Sequence, residues 1–262
     1  MKLPLYQVDA FAAAPFTGNP AAVVLLPTWL DDPTLQAIAQ ENNLSETAYL
    51  VPGAPGGADY HLRWFTPVNE VDLCGHATLA SAQVVLGHLS PTKSQVTFQT
   101  RSGPLVVSRE GQELTMALPA RAARPIPVSE ELCAALRARP LETWLAVDLM
   151  AVFATEAEVR ALDPSFEALC RLAPSGFMVT APGTDCDFVS RFFAPREGVP
   201  EDPVTGSAHC TLVPYWANRL GRLNLRARQV SRRGGELRCA LSESQVLLTG
   251  RAVTYLEGTI TV

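Results

Sequence analysis

The 262-residue sequence lacks the features that mark a membrane protein. Its longest apolar run, residues 21–26, stops at Pro27 and falls far short of the roughly 20 residues that a membrane-spanning helix needs. The first residues form a short apolar stretch interrupted by Asp9, without the charged start, long apolar centre and cleavage pattern of a signal peptide. We therefore expect a cytoplasmic protein with no membrane partner.

Basic residues are not in excess. The sequence has 21 Lys and Arg against 26 Asp and Glu, a formal net charge of −5. Because proteins that bind polyanions usually carry a basic face, nucleic acid is not expected as a partner. Five arginines between residues 226 and 238 alternate along an apparent strand, and this pattern is typical of a solvent-exposed face.

Cysteine and histidine do not occur at the spacings of metal ligands or short disulfide loops. The sequence has no C-x-x-C and no H-x-x-x-H. A chain of this length does not need disulfides to stabilise its core, so we expect free thiols, a reducing compartment and no metal site. The residues concerned are Cys74, Cys133, Cys170, Cys186, Cys210, Cys239, His61, His76, His88 and His209.

An internal repeat organises the sequence. Residues 32–38 (DPTLQAI) match residues 163–169 (DPSFEAL) at an offset of 131, which is half the length of the chain. Each copy is typical of a helix start, with an aspartate suited to the N-cap and a proline at the first helical position. A repeat of this length predicts two copies of one folding unit.

Further matches follow in the same order. At an offset of 128, Asp59, Arg63, Phe65, Pro67 and Val71 match Asp187, Arg191, Phe193, Pro195 and Val199. The offset then returns to 131 at two glycine motifs, residues 74–78 and 203–208, which both open apolar runs. The predicted helices are residues 33–40, 75–86, 164–171, 207–220 (containing Pro214 and followed by Gly221) and, between the halves with Ser129 as N-cap, 130–139.

The two halves differ at two places, and an asymmetry in a duplicated body is where we expect chemistry. The first half has three extra residues within 42–46 and a longer segment that contains residues 16–20. Glu46 lies in the first insertion, directly before an apolar stretch, and is the best candidate for proton transfer. The alternative is an exposed loop glutamate, or the last member of a helix cap that starts at Asn43.

The two glycine motifs are candidate anion sites. A helix N-terminus presents unpaired backbone N–H groups, and glycine allows a ligand to approach them, so we expect Gly75, Ala77, Gly206, Ser207 and Ala208 to bind a small carboxylate. The alternative for either motif is a tight strand-to-helix turn, and Ser207 is also suited to an N-cap.

Two titratable residues, His76 and Asp202, accompany these motifs. His76 is suited either to bind a carbonyl or enolate oxygen or to cap its own helix. A hydrolase that uses Ser207, His76 and Asp202 is disfavoured because no G-x-S-x-G surrounds the serine.

Six ordered motifs resemble those of the PhzF family, the phenazine-biosynthesis-like isomerases, over nearly the whole chain. The motifs are Asp9-Ala10-Phe11, Gly18-Asn19-Pro20, Asn43-Leu44-Ser45-Glu46-Thr47, Phe65-Thr66-Pro67-x-x-Glu70, Gly75-His76-Ala77-Thr78 and Glu201-Asp202-Pro203-x-Thr205-Gly206-Ser207-Ala208. The resemblance implies an α+β, diaminopimelate-epimerase-like fold with two pseudo-symmetric lobes, each a curved sheet or barrel around a central helix. We therefore expect an N-terminal lobe at residues 1–125, joined by a C-terminal strand, a C-terminal lobe at residues 126–262, and an active site in the cleft between them.

The resemblance also implies a reaction. The founding member of the family isomerises trans-2,3-dihydro-3-hydroxyanthranilate without a cofactor, and a glutamate moves the proton; by motif this residue is Glu46. His76, Asp202 and Ser207 match residues that contact the substrate, and Asn19 lies in a matching motif. The expected protein is a cofactor-independent isomerase of a small carboxylate-bearing substrate and a homodimer.

Two alternatives stay open at this point. Related epimerases and racemases use two cysteines. Cys74 occupies a position similar to that of one of them, whereas Val204 lies near the position of the other, in the second half of the chain. This disfavours a two-thiol racemase but leaves an epimerase in which Cys74 acts with Glu46; a small buried residue is the favoured interpretation of Cys74. A carboxylate-binding protein without turnover is the second alternative, because a fold does not determine a reaction.

Overall fold

The computed structural model describes residues 1–53 and 55–262. The strands in these ranges are β1 (Lys2–Ala10), β2 (Asn19–Leu25), β3 (Glu46–Pro52), β4 (Tyr60–Phe65), β5 (Glu70–Val71), β6 (Gln95–Thr100), β7 (Gly103–Glu110), β8 (Glu113–Pro119), β9 (Arg124–Ile126), β10 (Glu142–Leu145), β11 (Leu149–Val152), β12 (Phe177–Pro182), β13 (Phe188–Ala194), β14 (Val199–Asp202), β15 (Asn224–Gln229), β16 (Gly235–Ser242), β17 (Gln245–Gly250) and β18 (Ala252–Thr261).

The α-helices are α1 (Asp32–Asn42), α2 (Gly75–Val84), α3 (Glu130–Leu136), α4 (Glu156–Ala161), α5 (Phe166–Cys170) and α6 (Gly206–Leu220). Across the described ranges, none of these helices combines the length and apolar character that crossing a membrane requires. All six cysteines are free thiols.

The chain forms two compact units. The first consists of Met1–Ala117 together with Thr249–Val262, and the second of Leu118–Leu248. The C-terminal strand β18 therefore belongs to the first unit, where it pairs with β1. The expected division at residue 125, with an active site between two lobes, stays a prediction.

The first unit is a mixed sheet with a helix on each face. Tyr49 of β3 donates its hydroxyl to the Leu35 carbonyl of α1 at 2.6 Å, and Leu35 and Tyr49 belong to one apolar cluster. Because side chains alternate along a strand, Glu46 points to the opposite face, where α2 packs against β1, β2 and β3. The first turn of α2 and the start of β3 thus meet on one side of the sheet.

The second unit is built around α6. This helix is buried along most of its length, with Trp216 stacked at 5.7 Å on Phe188 of β13. A separate apolar cluster joins α3, α4 and α5 to the strands β11, β12 and β13. Pro214 lies within α6, and Gly221 ends the helix in a left-handed conformation, as the sequence predicts.

The two units repeat one succession of strand pairings. In the first, β1–β2 is antiparallel, β2–β3 parallel, β3–β4 antiparallel, β4–β6 parallel and β6–β7 antiparallel. The second unit has the same alternation of antiparallel and parallel pairings, in the order β10–β11, β11–β12, β12–β13, β13–β15 and β15–β16. A helix spans each parallel connection, as a crossover requires. The internal repeat read from the sequence is thus confirmed as a structural one.

Residues that match between the halves make matching contacts. Arg63 Nε contacts Glu70 Oε1 at 2.7 Å in the first unit, and Arg191 Nε contacts Glu201 Oε1 at 2.7 Å in the second. Each guanidinium also lies about 5 Å over the phenylalanine two residues later in its own strand. These ion pairs are largely shielded from water, so loss of either partner leaves a poorly solvated charge. The repeated residues are therefore structural.

The predicted helix caps need correction. The N-cap of α1 is Asp31, whose side chain accepts a hydrogen bond from Thr34 N at 2.8 Å, and not Asp32. The N-cap of α5 is Ser165, which accepts from Ala168 N, and not Asp163. Both helices begin where a short side-chain acceptor lies three residues before an N–H that lacks a helical partner.

Two helix ends also differ from expectation. Helix α2 ends at Val84 and continues as a wider π turn over Val85–Leu89. Helix α3 has the predicted cap, Ser129, but ends at Leu136, because Arg137 adopts a left-handed conformation with φ 55°. Since this position holds arginine rather than glycine, the end of the helix was not indicated by residue type.

Candidate active site

The first turn of α2 holds the most buried histidine–carboxylate contact of the first unit. His76 is 3% exposed, and its Nε2 lies 3.0 Å from Oε2 of Glu46, whose side chain is 15% exposed. The two atoms are close without the alignment of a hydrogen bond, and both are shielded from solvent. Glu46 is therefore neither an exposed loop residue nor part of a cap: it is the first residue of β3.

Backbone geometry at the end of α1 places Glu46. Asn43 closes α1 in a left-handed conformation with φ 49°, and its N–H donates to the Ala39 carbonyl. It is thus a C-cap, and the alternative of an N-cap starting at Asn43 is wrong. The chain turns within three residues, and Glu46 enters the sheet opposite Ala21 of the parallel strand β2.

Asn19 is the third member of the cluster. It is fully buried at the start of β2, and its Nδ2 lies 3.0 Å from His76 Nδ1. The preceding loop is held by Asp9, whose carboxylate accepts from Phe16 N at 2.8 Å. Gly18 allows this loop to close, because a Cβ there would lie 2.2 Å from the Ala10 carbonyl oxygen and the residue has φ +66°.

Asn19 and Glu46 together set the proton positions on His76. When Asn19 donates through Nδ2, Nδ1 is an acceptor and the proton of the neutral ring lies on Nε2, facing Glu46. Burial lowers the pKa of His76, whereas the neighbouring Cys74 and Glu46 raise it, and the pKa lies well above its ordinary value. Charging the ring adds a proton to Nδ1, and rotation of the Asn19 amide then presents Oδ1 to it.

Cys74 directly precedes α2 and joins the same cluster. Its Sγ lies 3.5 Å from His76 Nδ1 and is buried. Burial and the Glu46 carboxylate raise the pKa of Cys74 to about 11, although the Ala77 N–H favours the thiolate. The thiol is thus neutral at neutral pH, and Glu46 is the charged partner of His76.

Neither predicted capping role is observed at the two glycine motifs. Cys74 occupies the N-cap of α2 and Thr205 that of α6, and within the described ranges neither makes a side-chain capping bond. His76 and Ser207 lie inside their helices, so the alternatives that made them caps are wrong. The first backbone N–H groups of each helix lack helical acceptors, and the Ala77 N–H contacts the Cys74 sulfur.

In the second unit, Asp202 ends β14 as a buried residue. Its Oδ2 accepts from Thr205 Oγ1 at 2.5 Å. Gly206 and Ala208 are buried in the first turn of α6, whereas Ser207 is partly exposed. The structure thus places Asp202 beside the second glycine motif, as expected from the sequence.

Gln229 organises this motif, although it was not among the residues expected from the sequence. Gln229 is 0% exposed; its Oε1 accepts from Thr205 N at 2.8 Å, and its Nε2 donates to the Asp202 carbonyl at 2.7 Å. One signal was present: β15 alternates buried and exposed residues, and Gln229 takes a buried position beside Leu225 and Ala227. A polar side chain at an interior position of a strand needs a specific partner.

Each unit therefore brings together some of the site residues that the sequence predicts. The first brings together Asn19, Glu46 and His76 with Cys74, at the helix start formed by Gly75 and Ala77. The second brings Asp202 to Gly206, Ser207 and Ala208.

One group in the described ranges has the composition of a metal-ligand set. Glu46, Cys74 and His76 each offer one ligand atom, and these three atoms lie within 4.8 Å of one another. No such set was expected from the sequence, because the three residues share no ligand spacing along the chain.

Comparisons with known proteins give one family. The model of the phenazine biosynthesis-like protein family, PhzC-PhzF, matches residues 8–258. An uncharacterized isomerase of Pseudomonas aeruginosa is 50% identical over 260 residues, which cover 99% of each chain. A crystal structure of a PhzF-family protein from Enterococcus faecalis is 44% identical, covers 100% of both chains and has a TM-score of 0.95.

A more distant structure shows the same fold. A hydroxyproline epimerase from Agrobacterium vitis is 12% identical, with 99% of this chain and 92% of the epimerase covered and a TM-score of 0.68. The predicted fold class, α+β and diaminopimelate-epimerase-like, is confirmed.

Proposed function

Because the chain belongs to the phenazine biosynthesis-like, PhzC-PhzF, family, we propose that it is an isomerase that moves a proton within a small carboxylate-bearing substrate. Glu46 is the general acid/base, His76 positions it, and no cofactor is required. The observation that carries this proposal is the 3.0 Å contact between Glu46 Oε2 and the buried His76 Nε2 at the start of α2.

The contact suits Glu46 for moving a proton from one carbon to another. In the first step the carboxylate takes a proton from a carbon of the substrate, and the electron pair of that C–H bond passes into the adjoining unsaturated system. In the second step the carboxylic acid, whose proton exchanges with water, returns a proton to another carbon, so that the substrate gains and loses no atom overall. One group that is close to both carbons supplies the proximity that both steps need.

His76 supports the chemistry by charge and position. Since the Glu46 carboxylate raises the pKa of His76, a charged imidazolium is favoured beside it. When the carboxylate takes up the substrate proton, the imidazolium remains beside the negative charge that develops on the substrate. Asn19 holds the other ring nitrogen, which keeps the imidazole in one orientation.

The backbone at the start of α2 supports a carboxylate-bearing substrate. The first N–H groups of a helix lack helical partners and carry partial positive charge, so they bind an anion without a cationic side chain. Gly75 and Ala77 lie in this turn next to His76. We assign them to the substrate carboxylate, at the same end of the helix as Glu46.

The second unit contains the other residues that the resemblance to the family assigns to a substrate. Asp202 with Gly206, Ser207 and Ala208 repeats the arrangement of a polar strand end and a helix start. On the resemblance to the family, we assign Asp202 to proton steering and Ser207 to substrate binding. The homodimer expected from the same resemblance stays a prediction.

Hydrogen exchange in heavy water tests the proposal. The probes are trans-2,3-dihydro-3-hydroxyanthranilate, L-proline and trans-4-hydroxy-L-proline, followed by proton NMR and mass spectrometry. We expect deuterium to enter at carbon in at least one probe with the native protein. The Glu46→Gln variant should lose this exchange at least 100-fold, because an amide cannot take up the proton.

A matched control is Glu41→Gln, which removes an exposed carboxylate from α1. It should leave exchange unchanged. Full exchange by Glu46→Gln would overturn the assigned role of Glu46, and tight binding of a probe without exchange by the native protein would favour a binding protein without turnover.

An epimerase in which Cys74 takes part is the second candidate. The 3.5 Å contact of Cys74 Sγ with His76 Nδ1 favours it, because this contact offers the thiol proton a route to the ring. With a pKa of about 11 the thiol is a proton donor and a poor base. Loss of deuterium exchange in Cys74→Ala, with exchange retained in Glu46→Gln, would establish this candidate over the first.

A further inference from the structure

We propose that Glu46, Cys74 and His76 form a binding site for a thiophilic divalent cation of the zinc class. One ligand atom from each lies within 4.8 Å of the others, and two of the residues are buried. Metal binding itself does not depend on the proposed isomerase activity; only its inhibitory consequence rests on that activity.

The donor set selects the type of cation. A thiolate, an imidazole and a carboxylate are the three ligand types that zinc accepts in proteins, whereas magnesium and calcium prefer sites made of oxygen alone. Three protein ligands leave a fourth position for water or another ligand. The set therefore resembles an open three-ligand zinc site in composition.

The spacing of the donors is close to what the cation needs. Zinc lies about 2.0–2.3 Å from nitrogen, oxygen and sulfur ligands, so donor atoms around it stand roughly 3–4 Å apart. Glu46 Oε2 and His76 Nε2 are 3.0 Å apart, and Cys74 Sγ is 3.5 Å from the other ring nitrogen. These two contacts lie on different nitrogens of the ring, so the Cys74 side chain must rotate towards Nε2 to complete the set.

The polar atoms at this point also indicate a ligand. His76 is only 3% exposed, and neither its Nε2 nor Glu46 Oε2 has an aligned hydrogen-bond partner among the described residues. Buried polar atoms in native proteins are seldom left without one. A cation bound by both atoms would replace their unaligned contact.

Asn19 is suited to support a metal-bound histidine. A histidine that binds a metal through Nε2 carries its proton on Nδ1, and an acceptor there orients the ring. Asn19 lies 3.0 Å from His76 Nδ1, and rotation of its amide presents Oδ1 to this N–H.

Binding has a definite proton balance. Formation of the zinc–sulfur bond breaks the S–H bond of Cys74, and binding at Nε2 displaces one proton of the His76 imidazolium, so two protons pass to solvent. The cation would at the same time occupy the Glu46 carboxylate and His76 Nε2. An isomerase that uses these groups for proton transfer would then be inhibited reversibly, and a chelator would restore it.

Cobalt(II) titration of the full chain tests the site without any substrate. The thiols are kept reduced with a phosphine, and the near-ultraviolet absorption reports a cobalt–thiolate bond. We expect one equivalent of cobalt to produce this band, zinc to abolish it by competition, and the pH of an unbuffered sample to fall as the ligands lose their protons.

Four variants locate the ligands. Cys74→Ser should abolish the band, and His76→Asn and Glu46→Gln should each weaken zinc binding at least 100-fold. Asn19→Leu, which removes the support of the ring, should weaken it about 10- to 100-fold. The control is Cys133→Ser, a partly exposed thiol of α3 that should leave the band and the affinity unchanged.

The outcomes separate this proposal from the proposed isomerase. A native protein that gives no band, or a band that persists in Cys74→Ser, overturns the metal site whatever the enzyme does. A band that depends on Cys74 in a protein without deuterium exchange supports the metal site and counts against the isomerase. Thermal melting of each variant without metal shows whether a lost band reflects a lost ligand or a lost fold.

Discussion

Glu46 Oε2 lies 3.0 Å from His76 Nε2, although the two residues are 30 positions apart and come from the start of a strand and the start of a helix. The strand is placed by the left-handed end of α1, and the helix by packing of its whole first turn against the sheet. A carboxylate and a histidine with a raised pKa are thus held together by two separate backbone features.

The first prediction concerns the charge on His76. Its pKa in the folded protein lies above the unfolded value of about 6.5, so its contribution to stability is complete below pH 6.5 and is lost as the pH rises through the folded pKa. In His76→Asn this loss should be absent. The difference in unfolding free energy between native protein and variant should therefore be larger at pH 6 than at pH 9, as measured by denaturant unfolding.

The same variant separates a positioning role from a structural one. His76→Asn should slow deuterium exchange about 100-fold and alter its pH profile. A variant that keeps the native pH profile at a uniformly lower rate would show that His76 acts only on folding.

The second prediction concerns Gly18, which precedes Asn19. In Gly18→Ala the new Cβ would lie 2.2 Å from the Ala10 carbonyl oxygen and 2.8 Å from Ala12 Cβ, at a residue with φ +66°. We expect a loss of about 3 kcal/mol in unfolding free energy and a reduced exchange rate, because the loop that precedes Asn19 must move.

Gly111 is the matched control for this substitution. It has φ +61° in the same unit, but no atom of the described residues would lie within 4 Å of a Cβ added there. Gly111→Ala should cost only about 1 kcal/mol, which is the conformational part alone. Equal losses in the two variants would show that the contact with Ala10 does not matter.

The architecture was largely predictable from the sequence, whereas the caps were not. The duplication is visible in the sequence because matched residues such as Arg63 and Arg191 make equivalent ion pairs. Substitution of one partner would leave the other charge unpaired. Helix starts are set by whichever acceptor reaches an N–H three residues on, and Asp31 and Asp32 are equally suited to do so. Aligning the copies therefore selected the wrong aspartate.

The candidate site was predictable in its members more than in its contacts. Motifs identified Glu46, His76 and Asn19. The contacts between them depend on how the helix packs on the sheet, because this packing decides which residue of the helix start lies against which strand end. Gln229 shows the limit most clearly. Its partners lie 24 and 27 positions away, and only its place in a buried strand pattern indicated that it needs any.

The third prediction tests Gln229. Gln229→Leu leaves the Thr205 N–H and the Asp202 carbonyl without their buried partner. We expect a loss of about 3 kcal/mol in unfolding free energy, since each unsatisfied group costs roughly 1–3 kcal/mol. Gln245→Leu, at an exposed position of β17, should change stability by less than about 0.5 kcal/mol in the same denaturant series.

The fourth prediction concerns His209, a fully buried residue of α6. Its Nδ1 lies 2.8 Å from the Thr205 carbonyl, and burial lowers its pKa to about 4. In the unfolded state this histidine has a pKa of about 6.5. Between that pH and pH 4 it is therefore protonated in the unfolded state but neutral in the folded protein. The contribution of neutral His209 to stability is complete above pH 6.5 and is lost as the pH falls towards 4, by roughly 3 kcal/mol in total.

His209→Asn isolates this contribution, because an asparagine amide can still donate to the Thr205 carbonyl but does not titrate in this range. Denaturant unfolding of both proteins at pH 7, 5.5 and 4.5 gives the comparison. The variant should be less stable than the native protein at pH 7, since it leaves a cavity, and this gap should narrow steadily towards pH 4.5. A gap that stays constant would mean that His209 is not held neutral by its burial.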